Sequence, residues 1–424
     1  MNPISVDPPI RVATAQFKPR KGDVAGNLAR VGERTRALSG QADLVVFPEA
    51  ALSGYFVEGG VFEAAQTTDE VAAGLGAAGE GAPDVVLGYY ERHQRQLYNS
   101  AGYFTARDGA YRPVHVHRKL FLPTYGVFDE ARFVEAGHGL RAFDTPLGRM
   151  GMLVCEDMWH SLPPAILALD GAELILVPSA SPAREFPPGA GVPKNLVRWD
   201  ALARSAALEH GLFVVVSQLV GSEGGKMFPG GSVAVGPDGE TLGRAGLLEE
   251  EDLVVALSGA RIDRARAESP LLADLAQMLP HLREALAQAL ARRERARLGA
   301  EEREGSVRLQ EGVAGSGAGS PGRPRPRQDF AGRAPGSSPS PGPDPEDASV
   351  LDLDLPLVER FLVEFIHEEV RRRRGFDKVV LGVSGGVDSA VALYLACKAL
   401  GAENVHGFRL PYATSSQSSL DDGA

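Results

Sequence analysis

Cysteine is scarce in this chain, with two in 424 residues, Cys155 and Cys397. They are far apart and lie in unlike sequence contexts, so we expect neither a disulfide framework nor a zinc site made of clustered Cys and His. Free thiols are typical of a reducing compartment, and we therefore predict a cytoplasmic protein.

Long apolar runs and an excess of basic charge are also missing. No stretch reaches the roughly 18 apolar residues of a membrane span. The N-terminus has no basic flank followed by a long apolar run, so no signal peptide is predicted. The net charge is −11, which argues against general binding to nucleic acid or to an anionic membrane. A chain of this length suggests two or three globular domains.

The first part of the chain, residues 10–260, alternates apolar runs with helical patterns. Continuous apolar runs predict strands in sheets that are covered on both faces, and the alternation indicates an α/β fold. The predicted strands are 10–17, 43–49, 84–90, 150–157, 173–179, 212–218 and 232–237. The predicted helices are 22–38, 160–170 and 194–210.

Three further segments follow. Residues 261–298, rich in Ala, Leu and Arg, predict one long helical extension, and residues 299–349, rich in Gly, Pro, Ser and Arg, predict a disordered linker. From 350 to 424 an amphipathic helix ending at Gly375 precedes a strand, a glycine-rich turn, a helix and a second strand, which predicts a βαβ unit. The sequence stops at Ala424, one such unit into a fold that needs several, so we expect an incomplete second domain.

Three chemically capable residues follow apolar runs in the first part. Glu49 lies in VVFPEA, Lys119 in HRKLFLPTYGVFDE and Cys155 in MLVCEDMWH. Taken singly, a buried cysteine usually packs, a glutamate after Phe-Pro usually caps a turn, and a lysine in a basic run is usually solvated. In combination they indicate nucleophilic catalysis, because a carboxylate can take the thiol proton while a buried lysine stabilises the oxyanion.

These motifs, together with SASP at 179–182, resemble the nitrilase (carbon-nitrogen hydrolase) superfamily, in particular its glutaminase branch that is fused to NAD synthetase. The resemblance implies an α-β-β-α sandwich over about 10–257. It also implies that Glu49 is the base, Lys119 the catalytic lysine and Cys155 the nucleophile. The glutamine-binding positions that it implies are Tyr125, Glu130, Glu156 and Ser181.

One segment departs from the family pattern. After SASP the family reaches a basic glutamine-binding residue within a few positions, whereas this chain has the longer, proline-rich segment SPAREFPPGAGVPKN. Either Arg184 or Lys194 can fill the role, and Lys194 is the predicted substrate-binding residue. The sequence does not decide which amide the site recognises.

The segment LGVSGGVDSAVAL at 381–393 predicts a phosphate-binding turn between a strand and a helix. Glycines allow backbone N–H groups to approach a phosphate, and a helix N-terminus favours an anion. The SGGVDS string resembles the pyrophosphatase loop of ATP-dependent amidotransferases, and RLPYATSSQSSLDD resembles the next NAD synthetase segment. The implied ATP contacts are Gly382, Val383, Ser384, Gly385, Gly386, Val387, Asp388 and Ser389, with Asp388 also holding Mg²⁺.

The resemblance implies a carbon-nitrogen ligase that hydrolyses glutamine and uses the ammonia for the ATP-dependent amidation of deamido-NAD. It also implies a homo-oligomer. Two alternatives stay open at this point. One is a stand-alone amidase that acts on another carboxamide, and the other is a non-catalytic ATP-binding partner of a complete synthetase.

Overall fold

The computed structural model describes residues 3–314, 352–384 and 386–409. The chain divides into two compact units, one made of Met1–Leu272 with Leu353–Ala424, and the other of Ala273–Asp352. The sheets, the candidate site and the second α/β segment all belong to the first unit.

Two six-stranded sheets form the centre of this unit. From edge to edge, the first sheet contains β14 (Glu251–Leu257), β1 (Ile10–Gln16), β2 (Leu44–Val46), β3 (Asp84–His93), β4 (Gln96–Arg107) and β5 (Ala110–Arg118). The second contains β13 (Thr241–Arg244), β12 (Val233–Val235), β9 (Phe213–Gln218), β8 (Leu174–Ser179), β7 (Gly148–Met152) and β6 (Phe143–Thr145). A separate hairpin pairs β10 (Val220–Glu223) with β11 (Lys226–Pro229).

The predicted strands form the central part of each sheet. The chain runs parallel from β1 through β3 and from β7 through β9, and the remaining neighbours are antiparallel. The sequence analysis missed β4, β5, β6, β13, β14 and the hairpin. These strands are short or mix polar and apolar residues, so they give no continuous apolar run.

Helices cover the outer face of each sheet. They are α1 (Val24–Ala37), α2 (Val61–Ala64), α3 (Thr68–Gly74), α4 (Leu162–Leu169) and α5 (Lys194–His210). Along β8, Leu174 and Leu176 pack into the core between the sheets, whereas Ile175 and Val177 pack on the opposite side with Trp199 of α5. Both faces of the strand are therefore buried, which confirms the expected α-β-β-α sandwich.

The predicted single helical extension over 261–298 is two helices, α6 (Gly259–Glu268) and α7 (Leu271–Ala314). Pro270 separates them, because it lacks an N–H group and disfavours helical geometry at the preceding residue. Helix α7 continues past the predicted start of the linker, so 299–314 is helical where a disordered segment was expected. Its Glu and Arg residues are good helix formers. The rest of the predicted linker, 315–349, lies outside the described residues.

The second α/β segment contains α8 (Leu355–His367), β15 (Val379–Val383), α9 (Val387–Leu400) and β16 (Val405–Arg409). The two strands are parallel neighbours, which confirms the predicted βαβ unit. A wider π turn, Glu368–Arg373, follows α8. The described helices include none with both the length and the apolarity that crossing a bilayer requires. Residues 410–424, which contain most of the RLPYATSSQSSLDD segment, are outside the described ranges.

Candidate active site

The three residues singled out from the sequence lie at the carboxyl ends of strands. Glu49 comes three residues after β2, Lys119 directly after β5, and Cys155 three residues after β7. The first two strands belong to one sheet and β7 to the other. The site is therefore built where the carboxyl ends of strands from both sheets meet. In α/β folds, ligands bind outside the carboxyl ends of the parallel strands.

Lys119 lies between two carboxylates. Its Nζ donates to Oε1 of Glu49 at 2.8 Å and to Oε2 of Glu130 at 2.7 Å, and all three side chains are buried. Burial works against the charged amine, but attraction to Glu130 and Glu49 outweighs it and holds the pKa of Lys119 well above its usual value. Burial, helped by the charge of Glu49 and opposed by Lys119, raises the pKa of Glu130 to about 7. The lysine is therefore charged at neutral pH.

Asn99 on β4 belongs to this cluster, although the sequence analysis missed it. Its Nδ2 donates to Oε1 of Glu49 at 2.7 Å and to Oε1 of Glu130 at 2.5 Å. The backbone N–H of Ala180 donates to the other oxygen of Glu49 at 2.8 Å. Three donors thus fix the Glu49 carboxylate, and this leaves it little rotational freedom. Strand β4 mixes polar and apolar residues, so the local sequence gave Asn99 no distinct signal.

Cys155 has a backbone φ of 45°, in the left-handed region that non-glycine residues rarely adopt. Such strain costs roughly 1–3 kcal/mol and is concentrated at functional sites. The residue is partly exposed, and Oγ of Ser179 donates to its Sγ at 3.4 Å. Burial of the thiol and then the charge of Glu49 raise the pKa of Cys155 well above its usual value, with Lys119 opposing. The thiol is therefore protonated, and attack requires a base.

Asp157 is a second residue that sequence reasoning missed. It is fully buried, two positions after the cysteine. Its Oδ1 accepts the backbone N–H groups of Leu120 at 2.9 Å and Phe121 at 3.0 Å. The carboxylate therefore joins the cysteine turn to the segment that directly follows Lys119.

The four side chains implied to bind substrate occupy three places. The Tyr125 hydroxyl donates to Oε2 of Glu156 at 2.8 Å, so these two are brought together. Glu130 is part of the lysine cluster described above. Ser181 is buried, and its Oγ accepts from Nδ2 of Asn195 at 3.0 Å.

The two basic candidates occupy different positions. The Arg184 guanidinium carbon lies 5.9 Å from the ring centroid of Tyr125 and 5.4 Å from that of Phe128. Lys194 instead forms an exposed ion pair with Glu185, and its side chain is 51% exposed. The structure thus brings Arg184 to the Tyr125–Glu156 pair, while the amine of Lys194, the residue predicted from the sequence, is engaged by Glu185.

The predicted phosphate loop joins β15 to α9, with Gly382 and Val383 at the strand end and Gly386 as the N-cap of the helix. Oγ of Ser384 lies 3.2 Å from Oγ of Ser389, which donates to the carbonyl of Gly386 at 2.8 Å. Gly385 is not among the described residues.

Val387 and Asp388 are exposed in the first turn of α9. Within the described ranges, no group of three His, Cys, Asp or Glu side chains is arranged to hold a metal ion. Asp388 supplies a single carboxylate, a set that suits Mg²⁺ when phosphate oxygens and water provide the remaining ligands.

Comparison with known families divides the chain in the same way. The model of the carbon-nitrogen hydrolase family matches residues 11–269, more than half of the chain. The NAD synthase model matches residues 358–424.

Individual proteins are similar over longer stretches. A glutamine-dependent NAD(+) synthetase from Thermotoga maritima is 29% identical over 97% of this chain and 62% of its own length. A carbon-nitrogen hydrolase structure from Helicobacter pylori G27 has a TM-score of 0.56 at 26% identity, covering 62% of this chain and 94% of that one.

The structure of a glutamine-dependent NAD+ synthetase from Acinetobacter baumannii in complex with ADP has a TM-score of 0.65. The match covers 98% of this chain and 62% of that chain at 22% identity, and it shows that the two chains have similar folds. This chain therefore spans about three fifths of the length of the synthetases that it matches.

Proposed function

The chain belongs to the carbon-nitrogen hydrolase family, and on that premise we propose that it hydrolyses the side-chain amide of glutamine at Cys155. The observation that carries the proposal is the buried Lys119 amine held between Glu49 and Glu130 beside a protonated thiol. A charged lysine, a carboxylate fixed by three donors and a strained cysteine together suit acyl transfer.

In the first half of the reaction, Sγ of Cys155 attacks the amide carbon while Glu49 takes the thiol proton. The Lys119 ammonium stabilises the developing oxyanion, together with a backbone N–H near the cysteine. Glu49 then gives the proton to the departing nitrogen, the C–N bond breaks, and ammonia leaves a thioester on Cys155.

In the second half, water attacks the thioester carbon and Glu49 accepts a proton from it. The C–S bond breaks, the proton returns to the sulfur, and glutamate is released. The raised pKa of the Cys155 thiol favours this order, because the resting enzyme keeps the proton until Glu49 removes it.

Recognition of glutamine is proposed to come from the charged groups at Tyr125. The Arg184 guanidinium would pair with the substrate carboxylate, for which its planar fork is suited, and Glu156 would receive the substrate ammonium. Ser181 would line the same pocket. Lys194, paired with Glu185, is a weaker candidate for this role.

The use of the ammonia is a second part of the proposal. The match of residues 358–424 to NAD synthase and the loop before α9 support ATP-dependent amidation of deamido-NAD. Backbone N–H groups of the loop and the N-terminus of α9 would bind phosphate, and Asp388 would hold Mg²⁺. Assembly as a homo-oligomer and a cytoplasmic location remain predictions.

The decisive experiment measures glutamate release from glutamine by the purified 424-residue chain. The Cys155→Ala variant should be inactive, and Cys397→Ala, which removes the other cysteine, should hydrolyse glutamine at the wild-type rate. Hydrolysis that survives Cys155→Ala would refute the assignment of the nucleophile. A folded protein that cleaves other carboxamides and spares glutamine would identify an amidase instead.

The synthetase half needs its own assay, which is NAD formation from deamido-NAD, ATP and Mg²⁺. Glutamine and ammonium chloride are supplied in parallel reactions. In a protein that contains the whole synthetase part, Cys155→Ala should lose the reaction with glutamine and keep the reaction with ammonium. For the 424-residue chain, whose second α/β segment is expected to be incomplete, NAD formation from ammonium would contradict that expectation, and its absence would leave amide hydrolysis as the activity proposed for this chain.

A further inference from the structure

The β10–β11 hairpin contacts the second α/β segment through Met227, which packs against the cluster that contains Leu357 and Phe361, and through a partly buried hydrogen bond. Oγ of Ser222 donates to Oε1 of Glu369 at 2.6 Å, and Lys18 forms an ion pair with the adjacent Glu368. The Glu369 carboxylate also forms ion pairs with Arg373, at 3.0 Å, and with Arg374, the residue that follows the π turn, at 2.6 Å. Both glutamates are buried, so the π turn is held firmly against the hairpin.

Glu223, the next residue of the hairpin, points into the hydrolase part. It is 3% exposed, and its Oε2 accepts the consecutive backbone N–H groups of Tyr55 at 2.7 Å and Phe56 at 3.1 Å. Oε1 has no hydrogen-bond partner among the described residues. Gly54 makes this approach possible, because its φ is +80° and a Cβ there would lie 2.8 Å from Oε1. The mechanism proposed above gives this carboxylate no role.

Tyr55 connects Glu223 to the lysine cluster. Its ring centroid lies 5.6 Å from Nζ of Lys119, and its backbone carbonyl accepts from the Tyr90 hydroxyl at 2.8 Å. The ring is buried and lies over the amine. If the Tyr55 backbone moved, water would reach Lys119 and weaken its attraction to Glu49, since charges interact more weakly in a higher dielectric.

We propose that Glu223 is a positioning residue for amide hydrolysis: it holds the Tyr55–Phe56 backbone so that the Tyr55 ring keeps Lys119 between its carboxylates, and the 368–374 turn holds Glu223 in place through Ser222. The inference rests on the proposed hydrolytic site and deepens it. It gives the NAD synthase-like segment a direct mechanical contact with the hydrolase chemistry.

What Glu223 must supply is an acceptor oxygen, and a full negative charge is not required. Burial raises the pKa of Glu223 to about 7, with the Phe56 and Tyr55 N–H groups and the charges of Lys21 and Arg373 opposing. An amide in the same place offers the same carbonyl oxygen to the two N–H groups. Glu223→Gln should therefore preserve the site, and Glu223→Ala should not.

The test follows alkylation of Cys155 by iodoacetamide in the full chain, resolved from Cys397 by peptide mass, across about pH 6 to 9. Glu223→Ala should slow alkylation by about 10- to 100-fold and shift its pH profile, because small misplacements of catalytic groups have effects of that size. Glu223→Gln should remain close to wild type. Asp84→Asn is the matched control, since Asp84 is also a buried carboxylate that accepts a backbone N–H, from Ala106, at the far end of β3.

Each outcome decides the question. Wild-type alkylation in a folded Glu223→Ala protein overturns the proposal, and so does a Glu223→Gln protein that is as slow as Glu223→Ala. Should Glu223→Ala fail to fold, Ser222→Ala tests the same contact, with an expected decrease of about two- to fivefold for one lost hydrogen bond. An unchanged Ser222→Ala rate would overturn the role of the 368–374 turn. Iodoacetamide reports on Cys155 whether or not glutamine is the substrate, so failure of the proposed function would be seen separately.

Discussion

Oδ2 of Asp157 lies 2.8 Å from Nε2 of His117, and both side chains are buried. The same oxygen accepts the backbone N–H of Val154 at 3.1 Å, while Oδ1 holds the segment after Lys119. Because His117 lies on β5 of one sheet and Val154 follows β7 of the other, a single carboxylate fixes the relative position of the lysine and the cysteine.

Replacing Asp157 by Ala should therefore affect stability and catalysis together. The free energy of unfolding, measured by urea denaturation, should fall by about 3–5 kcal/mol, because buried partners lose their carboxylate. The kcat/KM for glutamine should fall by about 100-fold, since the two catalytic segments lose their common anchor. Asp170→Ala is the control, because Asp170 also accepts a backbone N–H, from Ala142, and pairs with Arg149, but its side chain is 40% exposed and, within the described residues, it does not bond to the segments after β5 and β7. Equal losses in the two variants would contradict the anchoring role.

Lys119→Met should nearly abolish hydrolysis, because the substitution removes the positive charge while it keeps a side chain of similar length. Without the amine, the two carboxylates of Glu49 and Glu130 would have no cation between them, and no cation would remain at the oxyanion. We expect kcat/KM to fall by about 1,000-fold. Lys226→Met provides the comparison, because the Lys226 amine lies over the ring of Phe56, 4.5 Å from its centroid. A Lys119→Met enzyme that kept more than about a tenth of the activity would show that the lysine is not part of the chemistry.

Arg184 and Lys194 can be separated by their effects on KM. Arg184→Ala should raise KM for glutamine by about 10- to 100-fold with a smaller change in kcat, because a bidentate contact with the substrate carboxylate is lost. Lys194→Ala should leave both parameters near wild type, since its amine pairs with Glu185 on the surface. The reverse result would restore Lys194 as the carboxylate-binding residue.

The buried Glu223 predicts a specific dependence of stability on pH. Its pKa in the folded protein is raised to about 7 from the ordinary value of 4.5. Between these two values the folded state holds the proton that the unfolded state has released. The stabilising contribution is therefore complete below about pH 4.5 and is lost as the pH rises through about 7, with a limiting slope of about 1.4 kcal/mol per pH unit.

This dependence can be measured by urea denaturation of the wild type and of Glu223→Gln at several pH values between these limits. The difference in unfolding free energy between the two proteins should change across that window, since the amide cannot titrate. Glu63→Gln, a replacement on the exposed face of α2, should give the wild-type curve. A constant difference between wild type and Glu223→Gln would mean that Glu223 does not titrate there.

Particular residues show which parts of the fold and of the site could be predicted from the sequence. Glu49 and Cys155 each follow a continuous apolar run, so the strands that carry them were predictable, and the motifs around Glu49, Lys119 and Cys155 implied the sandwich fold by family resemblance. The strand that carries Lys119, β5, was missed. Asn99 gave almost no local signal, because its partner Glu49 is 50 positions away. Asp157 stands within the recognised cysteine motif, yet its bonds to Leu120 and Phe121 cross from one sheet to the other. The antiparallel strands were missed for a related reason, since their residues mix polar and apolar types.

Local sequence determined the buried strands, the reactive side chains at their ends and the glycine-rich loop before α9, because each depends on residues that are near neighbours in the chain. Tertiary structure decided the rest. It placed Arg184, and not Lys194, beside Tyr125, closed the Lys119 cluster with Asn99, and brought Glu223 under Tyr55 from 168 positions away. Such contacts depend on which strands are neighbours in a sheet and on how the loops and the hairpin pack around the strand ends, and no pattern along one stretch of chain records which side chains meet there.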